Sequence, residues 1–230
     1  MWLKKLNDYF SFFEKLILIF SISIITVFFC IFDRKNYLNL FLSLSGVISI
    51  MLSAKGNVIG KFLSIFFGVA YGFISLSFAY YGEMITYWCM NVPMEIIALI
   101  TWLKNPSKKS KLEVKINKIK GREFAFLGLL SVIVTVVFYF ILKRLNTSSL
   151  LISTISIFTS FTAVYLCFRR SPFFSLAFVF NDIVLIILWS IACVSEISYI
   201  SVVICFVAFL FNDFYGYYNW NKLLKRQALE

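Results

Sequence analysis

The most regular feature of the sequence is a series of long apolar runs separated by short polar segments. Each run has close to the ~20 residues that an α-helix needs to cross the hydrocarbon layer of a membrane. Inside lipid every backbone N–H and C=O must be paired within the structure, so runs of this length predict helices. The pattern predicts about eight transmembrane helices, near residues 15–32, 37–53, 58–79, 84–103, 124–143, 147–168, 172–193 and 197–218.

Composition supports the same fold class. The chain is 61% hydrophobic and 20% aromatic but only 14% charged, which is more apolar than a soluble core requires. Met1 to Tyr9 is polar, and the apolar run that follows lacks a small-residue cleavage site, so we expect that run to be retained. The sequence therefore predicts an all-α polytopic membrane protein with the lipid bilayer as its surroundings.

The lysines and arginines are distributed unevenly between the predicted loops. With the N-terminus inside, the cytoplasmic segments carry eighteen bases, including Lys55, Lys61 and eight in the linker 104–122, against four on the other side. The opposite loops at Glu83 and Glu196 carry an acid and no base. Since positively charged loops stay in the cytoplasm, both termini are predicted to be cytoplasmic.

Charge and cysteine content exclude several classes of partner. The net charge of +11 comes from bases in short loops, so a nucleic-acid partner is not expected, although the basic linker could attract anionic lipid. The five cysteines lie in apolar runs without a CxxC pair, and the chain has no histidine. We therefore expect no disulfide framework, no metal site and no cofactor.

The two halves of the chain contain matching segments. MEIIALITWLK (94–104) aligns without a gap with NDFYGYYNWNK (212–222), and in both an acid stands seven residues before a tryptophan and a lysine two residues after it. Both segments follow an acidic loop and end on the basic side, which predicts a parallel repeat. The predicted divisions are an extra helix (1–36), three helices (37–103), a basic linker with a connecting helix (104–146), and three more helices with the tail (147–230).

Three carboxylates fall inside the apolar runs, at Glu95, Asp182 and Asp213. Such groups cost about 2.5–3.5 kcal/mol at the centre of a bilayer on insertion scales unless they face protein or a wet cavity. They are candidates for a functional site, and the alternative is that each one hydrogen-bonds to a neighbouring helix. Trp102 and Trp220 lie near the predicted inner interface, where we expect them to act as anchors.

Amides and aromatic rings accompany these acids at helical spacing. Asn181 and Trp189 share a face of the seventh run, and Asn212, Tyr215 and Asn219 form a stripe on the eighth. Amides and carboxylates bind hydroxyl groups and rings stack on rings, so this surface suits an aromatic solute, and a cationic one best. The chain has no GxSxG elbow and no phosphate loop, so we expect no catalytic residues and no enzyme activity.

Three segments resemble the signature segments of the PnuC-type vitamin transporters, typified by the nicotinamide riboside transporter. They are NVPMEIIALITWLKN (91–105), NDIVLIILW (181–189) and NDFYGYYNW (212–220), and the resemblance covers roughly residues 37–226. It implies a three-plus-one-plus-three bundle similar to the SWEET sugar transporters, commonly a homotrimer, in the bacterial cytoplasmic membrane. It also implies facilitated diffusion of a vitamin precursor that lacks phosphate and is trapped by a cytosolic kinase.

The resemblance also implies site residues, placing the substrate on Asn181, Trp189 and Asn212 with Glu95 opposite. The family often has glutamine where Glu95 stands, and glycine where Ala98 stands. A carboxylate favours a cation, so nicotinamide riboside or thiamine is expected ahead of riboflavin or a deoxyribonucleoside, and a non-transporting membrane scaffold or receptor is the alternative of another class. The full set of expected substrate-binding residues is Asn91, Glu95, Asn181, Trp189, Asn212, Asp213, Tyr215 and Asn219.

Overall fold

A computed structural model of the chain describes residues 9–34, 36–77, 80–147 and 149–230. Within these ranges eight helices are long and apolar enough to cross a membrane, and no strand forms. The prediction of an all-α bundle of about eight spans is therefore confirmed. The helices are α1 (Phe12–Phe32), α2 (Tyr37–Ala54), α3 (Val58–Ser77), α4 (Tyr81–Lys104), α5 (Gly121–Arg144), α6 (Leu150–Phe168), α7 (Phe173–Cys193) and α8 (Ile200–Gln227).

Some helices begin or end at residues other than those predicted from the apolar runs, because polar residues cap or extend them. α1 begins at Phe12 because Ser11 and Glu14 form a capping box, in which each side chain bonds to the other's backbone N–H. α8 extends nine residues beyond the predicted end at 218 because its polar last turns dock on the linker. The predicted polar N-terminal segment up to residue 8, with Lys4 and Lys5, and the predicted helical positions 78, 79 and 148 lie outside the described residues.

Six of the described helices form a closed ring. α2 packs on α3, α3 on α4, α4 on α6, α6 on α7, α7 on α8, and α8 on α2. α1 lies outside the ring against α2 and α8, and α5 lies outside against α6. Two triplets of helices, α2 to α4 and α6 to α8, thus face each other around a central space.

The burial pattern is that of a protein surrounded by lipid. Large apolar side chains face outward, as Ile19 of α1 (62% exposed) and Leu129 of α5 (63% exposed) do. Small polar side chains are buried inside the ring, including Ser49 of α2 and Ser160 of α6. Small residues let the helices pack closely against each other, so the bundle does not need the apolar core of a soluble protein.

Matched ion pairs connect the outer helices to the triplets. Glu14 in the first turn of α1 pairs with Lys55 just after α2, with 2.8 Å between Oε2 and Nζ. Glu123 in the first turn of α5 pairs with Arg169 just after α6. Because the same contact joins corresponding elements in each half, α1 and α5 hold equivalent positions, each preceding its own triplet.

The linker between α4 and α5 covers one end of the ring, here called the linker end. The N–H of Val58 donates to the carbonyl of Leu112 at 3.0 Å, and the N–H of Val114 donates to the carbonyl of Gly56 at 2.9 Å. Gly56 has a φ of +67°, which glycine adopts without strain. The side chain of Val114 is fully buried, so this polar stretch packs against the bundle through its centre.

Two charged residues that were counted with the segments between the membrane spans lie inside helices. Lys61, counted with the cytoplasmic bases, is in the first turn of α3 and is 2% exposed. Glu83, assigned to an outer loop, is in the first turn of α4, is 2% exposed and accepts a hydrogen bond from Ser156 at 3.3 Å. The assignment of Glu83 was wrong because a charge at the edge of an apolar run was given to the nearest loop, whereas Lys61 lies within the helix predicted at 58–79. Each of the two residues has a polar partner within the bundle.

Candidate functional site

A cavity lies at the centre of the ring between the two triplets. Its empty volume, which includes the space at its mouth, is about 760 Å³. All six ring helices contribute to its walls. The lining residues are Gly46, Ser49, Ile50, Ser53, Lys61, Ser64, Phe67, Gly68, Tyr87, Asn91, Val92, Glu95, Val164, Phe174, Phe178, Asn181, Asp182, Phe206, Phe209 and Asp213.

An irregular turn in α4 presents three of these side chains. Pro93 has no N–H to donate to the carbonyl four residues earlier, and the preceding turn, Tyr87–Asn91, is π-helical. Tyr87, Asn91 and Glu95 follow one another at a spacing of four and line the cavity together. Wide turns of this kind often occur where a helix contributes to a functional site.

Four charged side chains line the cavity. The Lys61 ammonium donates to Glu95 Oε1 at 3.3 Å and lies 3.2 Å from Oε2. The carboxyl groups of Asp182 on α7 and Asp213 on α8 are in hydrogen-bonding contact with each other. Two carboxyl groups that hydrogen-bond share one proton, so this pair carries a single negative charge, and with Glu95 opposite Lys61 the cavity has one negative charge in excess. In surroundings of low dielectric constant that excess favours a cationic solute.

Two acceptors in the cavity have no partner among the described residues. Asn91 Oδ1 and Asp182 Oδ2 are buried and receive no hydrogen bond. Buried polar atoms in proteins are nearly always paired. A solute that carries N–H or O–H groups would supply the missing donors.

An aromatic layer closes the cavity at the linker end. Trp102 and Trp220 are fully buried, with ring centroids 5.4 Å apart. The indole of Trp102 donates to the carbonyl of Cys167 at 3.0 Å, and that of Trp220 donates to the carbonyl of Ser53 at 2.9 Å. Each tryptophan therefore bonds to the opposite triplet. The prediction of interfacial anchors was wrong because both indole N–H groups find partners inside the protein.

A second aromatic layer lies at the far end of the cavity. The indole of Trp189 donates to the hydroxyl of Tyr71 at 2.8 Å, and its ring lies 4.9 Å from that of Tyr80. Tyr87 and Phe206 pack against Tyr71 with centroid distances of 4.4 and 6.0 Å and also line the cavity. The polar cavity is thus held between two aromatic layers.

Four of the eight residues predicted from the sequence line the cavity. They are Asn91, Glu95, Asn181 and Asp213. Asn181 is oriented by α6, because its Oδ1 accepts hydrogen bonds from the hydroxyls of Thr159 at 2.9 Å and of Ser160 at 2.8 Å.

The other four predicted residues lie outside the cavity lining. Trp189 belongs to the far aromatic layer. The remaining three bond to neighbouring helices: Asn212 donates to the hydroxyl of Ser21 on α1 at 2.9 Å, Tyr215 donates to Glu14 on α1 at 2.6 Å, and Asn219 donates to the carbonyl of Ala54 at the end of α2 at 2.8 Å.

Several important cavity residues were not among the site residues predicted from the sequence. Lys61 was missed because it is three residues from the start of its helix, yet a lysine within an apolar run was a usable signal. Asp182 was recognised as an intramembrane acid but was not assigned to the site. Ser49 and Ser64, whose hydroxyls lie 2.7 Å apart, gave no signal, because serines are common throughout these helices.

Sequence comparison identifies the family. The profile of the nicotinamide mononucleotide transporter family matches residues 36–222. The chain belongs to this family. It is 26% identical over 233 residues to a nicotinamide riboside transporter PnuC of Neisseria mucosa, covering 99% of this chain and 88% of that protein. It is 25% identical over 194 residues to a nicotinamide riboside transporter PnuC of Haemophilus influenzae, covering 83% of this chain and 82% of that protein.

The fold is shared with a transporter whose structure has been solved. The crystal structure of the vitamin B3 transporter PnuC matches with a TM-score of 0.82 at 24% identity, covering 95% of this chain and 94% of that one. The PnuC resemblance of the three sequence segments is confirmed. The protein is a multi-pass membrane transporter of this family.

Proposed function

We propose that this protein is a facilitated-diffusion carrier that imports unphosphorylated nicotinamide riboside. The observation that carries the proposal is the excess of acidic side chains in a buried cavity walled by aromatic rings. Nicotinamide riboside has a positively charged pyridinium ring, a carboxamide and a ribose. Carboxylates balance the ring charge, aromatic faces stack on the ring, and the unpaired acceptors bind the amide and hydroxyl donors.

The charge of the cavity also favours a substrate without phosphate. A phosphate group would bring further negative charge close to Glu95, Asp182 and Asp213, and like charges repel strongly where water is excluded. Entry of the free riboside stays downhill only if the free riboside is removed inside the cell. Phosphorylation by a cytosolic kinase removes it. The two triplets rock against each other so that the aromatic layers open in turn.

The proposed setting follows from the distribution of bases. The linker and both termini lie in the cytoplasm, because the segments on that side carry most of the lysines and arginines. The protein resides in the bacterial cytoplasmic membrane, in contact with the lipid bilayer, and assembles as a homotrimer like the family it resembles. It transports its substrate without catalysing a reaction.

Uptake by proteoliposomes tests the proposal. Labelled nicotinamide riboside should enter vesicles containing the protein with saturable kinetics and should level off at equal concentrations inside and outside. Unlabelled nicotinamide riboside should compete, whereas nicotinamide mononucleotide should compete far less. Vesicles no more permeable than protein-free ones would support a scaffold or receptor instead.

Thiamine is the second candidate, because it is also an aromatic cation and the acidic cavity does not distinguish between the two charges. Riboflavin and deoxyribonucleosides carry no positive charge, so the acids do not attract them by charge. Selective binding to the folded state raises thermal stability, so a ligand panel on purified protein separates these substrates. A response to thiamine without one to nicotinamide riboside would replace the first candidate with the second.

A further inference from the structure

The cavity contains a cation of its own. Among the described residues that line it, Lys61 is the only base. Its ammonium lies 5.3 Å from the ring centroid of Trp102 and 5.7 Å from that of Phe174, in addition to its contacts with Glu95. A carboxylate and two aromatic faces thus surround one positive charge.

This arrangement contributes little as a structural link. Burying two charges costs free energy that their attraction only partly returns, and Lys61 and Glu95 join α3 to α4, which already pack against each other. The chain has a comparable pair, Lys55 with Glu14, outside the cavity, and that pair connects the outer helix α1 to the ring. The two pairs have similar chemistry, but only Lys61 and Glu95 line the cavity.

The surroundings of Lys61 match those that a cationic ring needs. Carboxylates and aromatic faces attract an organic cation just as they attract an ammonium group. We infer that Lys61 is a tethered substitute for the substrate cation, which occupies Glu95 and the ring faces in the empty carrier and gives them up when a cationic substrate binds. The inference rests on the proposed function and extends it by naming a residue that sets the affinity for cations.

The substitute also has a role in the transport cycle. Net uptake requires the carrier to return empty, and an empty cavity without a cation would expose its acids to low-dielectric surroundings at a cost. Lys61 supplies the compensating charge during this return. Exchange of labelled for unlabelled substrate needs no empty return, so loss of Lys61 should slow net uptake more than exchange.

The affinity test uses Lys61→Met, which removes the charge and keeps a flexible side chain. Nicotinamide riboside should bind about tenfold more tightly or better, a change of roughly 1.4 kcal/mol, because it no longer competes with the ammonium for Glu95. Uncharged 1,4-dihydronicotinamide riboside, which has nearly the same shape, should bind with little change. Lys55→Met, the matched control, should leave both affinities as they are in the wild type.

A second background makes this test independent of the folding of the single variant. In the Glu95→Gln variant the partner of Lys61 is already uncharged, so removing the lysine charge leaves no unpaired carboxylate at position 95. Adding Lys61→Met to Glu95→Gln should again raise the affinity for nicotinamide riboside and not that for the dihydro form. An equal change for both ligands, or weaker binding of the cation, would overturn the inference.

Proteoliposomes test the transport cycle. Lys61→Met should lower net uptake into empty vesicles several-fold more than exchange into vesicles loaded with unlabelled substrate, and an equal loss of both would make Lys61 a structural residue. Failure of the proposed function can be distinguished from failure of this inference, because the wild type itself would then not bind or take up nicotinamide riboside. If the wild type binds thiamine instead, the same comparison with thiamine and uncharged 3-deazathiamine decides the role of Lys61.

Discussion

At the scale of single residues, the buried acids of this protein differ in whether a base lies beside them. Glu14 pairs with Lys55 at the edge of the ring and holds an outer helix in place. Asp182 and Asp213 meet inside the cavity without a base of their own. The sequence showed that these acids lie in apolar runs, but it could not show which of them has a basic partner, because the partners are distant along the chain.

The first prediction concerns the pair of cavity acids. Changing Asp182 and Asp213 together to asparagine keeps the shape of both side chains and removes the negative charge of the pair, so binding of nicotinamide riboside should weaken about tenfold or more, while binding of its uncharged dihydro form should change little. Titration calorimetry on purified protein measures both affinities. Glu14→Gln removes a charge outside the cavity and should lower thermal stability without changing the affinity. Unchanged binding of the cation by this double variant would contradict the assignment of the cavity.

At the scale of helices, rotation about the helix axis decides which residues reach the cavity. Successive residues of an α-helix point about 100° apart, so Asn212 faces α1 whereas its neighbour Asp213 faces the cavity. The polar stripe of α8 was predicted from the sequence, but it was assigned to the cavity side. Hydrophobic pattern alone could not fix this orientation, because α1 offers polar partners on the opposite side.

The second prediction tests the contact between α2 and α8. A Cβ atom at Gly46 would lie 2.3 Å from Cζ of Phe209, whose ring also lines the cavity. Gly46→Ala should therefore displace this ring and weaken nicotinamide riboside binding several-fold. Gly128→Ala on α5 is the matched control, since nothing lies within 4 Å of its added Cβ, and it should leave binding unchanged. Equal affinities in the two variants would show that the Phe209 ring is not part of the site.

At the scale of the whole molecule, two similar halves are joined at the linker end, where each half donates a hydrogen bond to the other. The spacing of acid, tryptophan and lysine in the sequence predicted the repeat, and the indole bonds of Trp102 and Trp220 show how the halves meet. The sequence could not show that both tryptophans are buried side by side, because each needs a backbone carbonyl of the other half. Nor could it show that the basic linker packs beneath them.

The third prediction concerns the attachment of that linker. Burial alone would raise the pKa of Glu113, but hydrogen bonds from Arg226, Ser107 and Gln227 outweigh it and hold this pKa below its ordinary value of 4.5. A group whose pKa is lower in the folded state stabilises that state above its unfolded pKa, and this stability is lost as the pH falls through the folded pKa. The difference in Tm between wild type and Glu113→Gln should therefore be largest near neutral pH and should narrow below pH 4.5. A difference that does not depend on pH would contradict this attachment.

The most direct measurement is a structure determined with nicotinamide riboside bound. The pyridinium ring should lie in the central cavity, in contact with Glu95 or with the Asp182 and Asp213 pair, between the Trp102 and Trp220 layer and the Tyr71 and Trp189 layer. The ribose and carboxamide should supply donors to the acceptors that are unpaired in the empty protein, Asn91 Oδ1 among them. A ligand bound on the α1 side of α8, against Asn212 and Tyr215, with the cavity empty would contradict a substrate site formed by the buried acids.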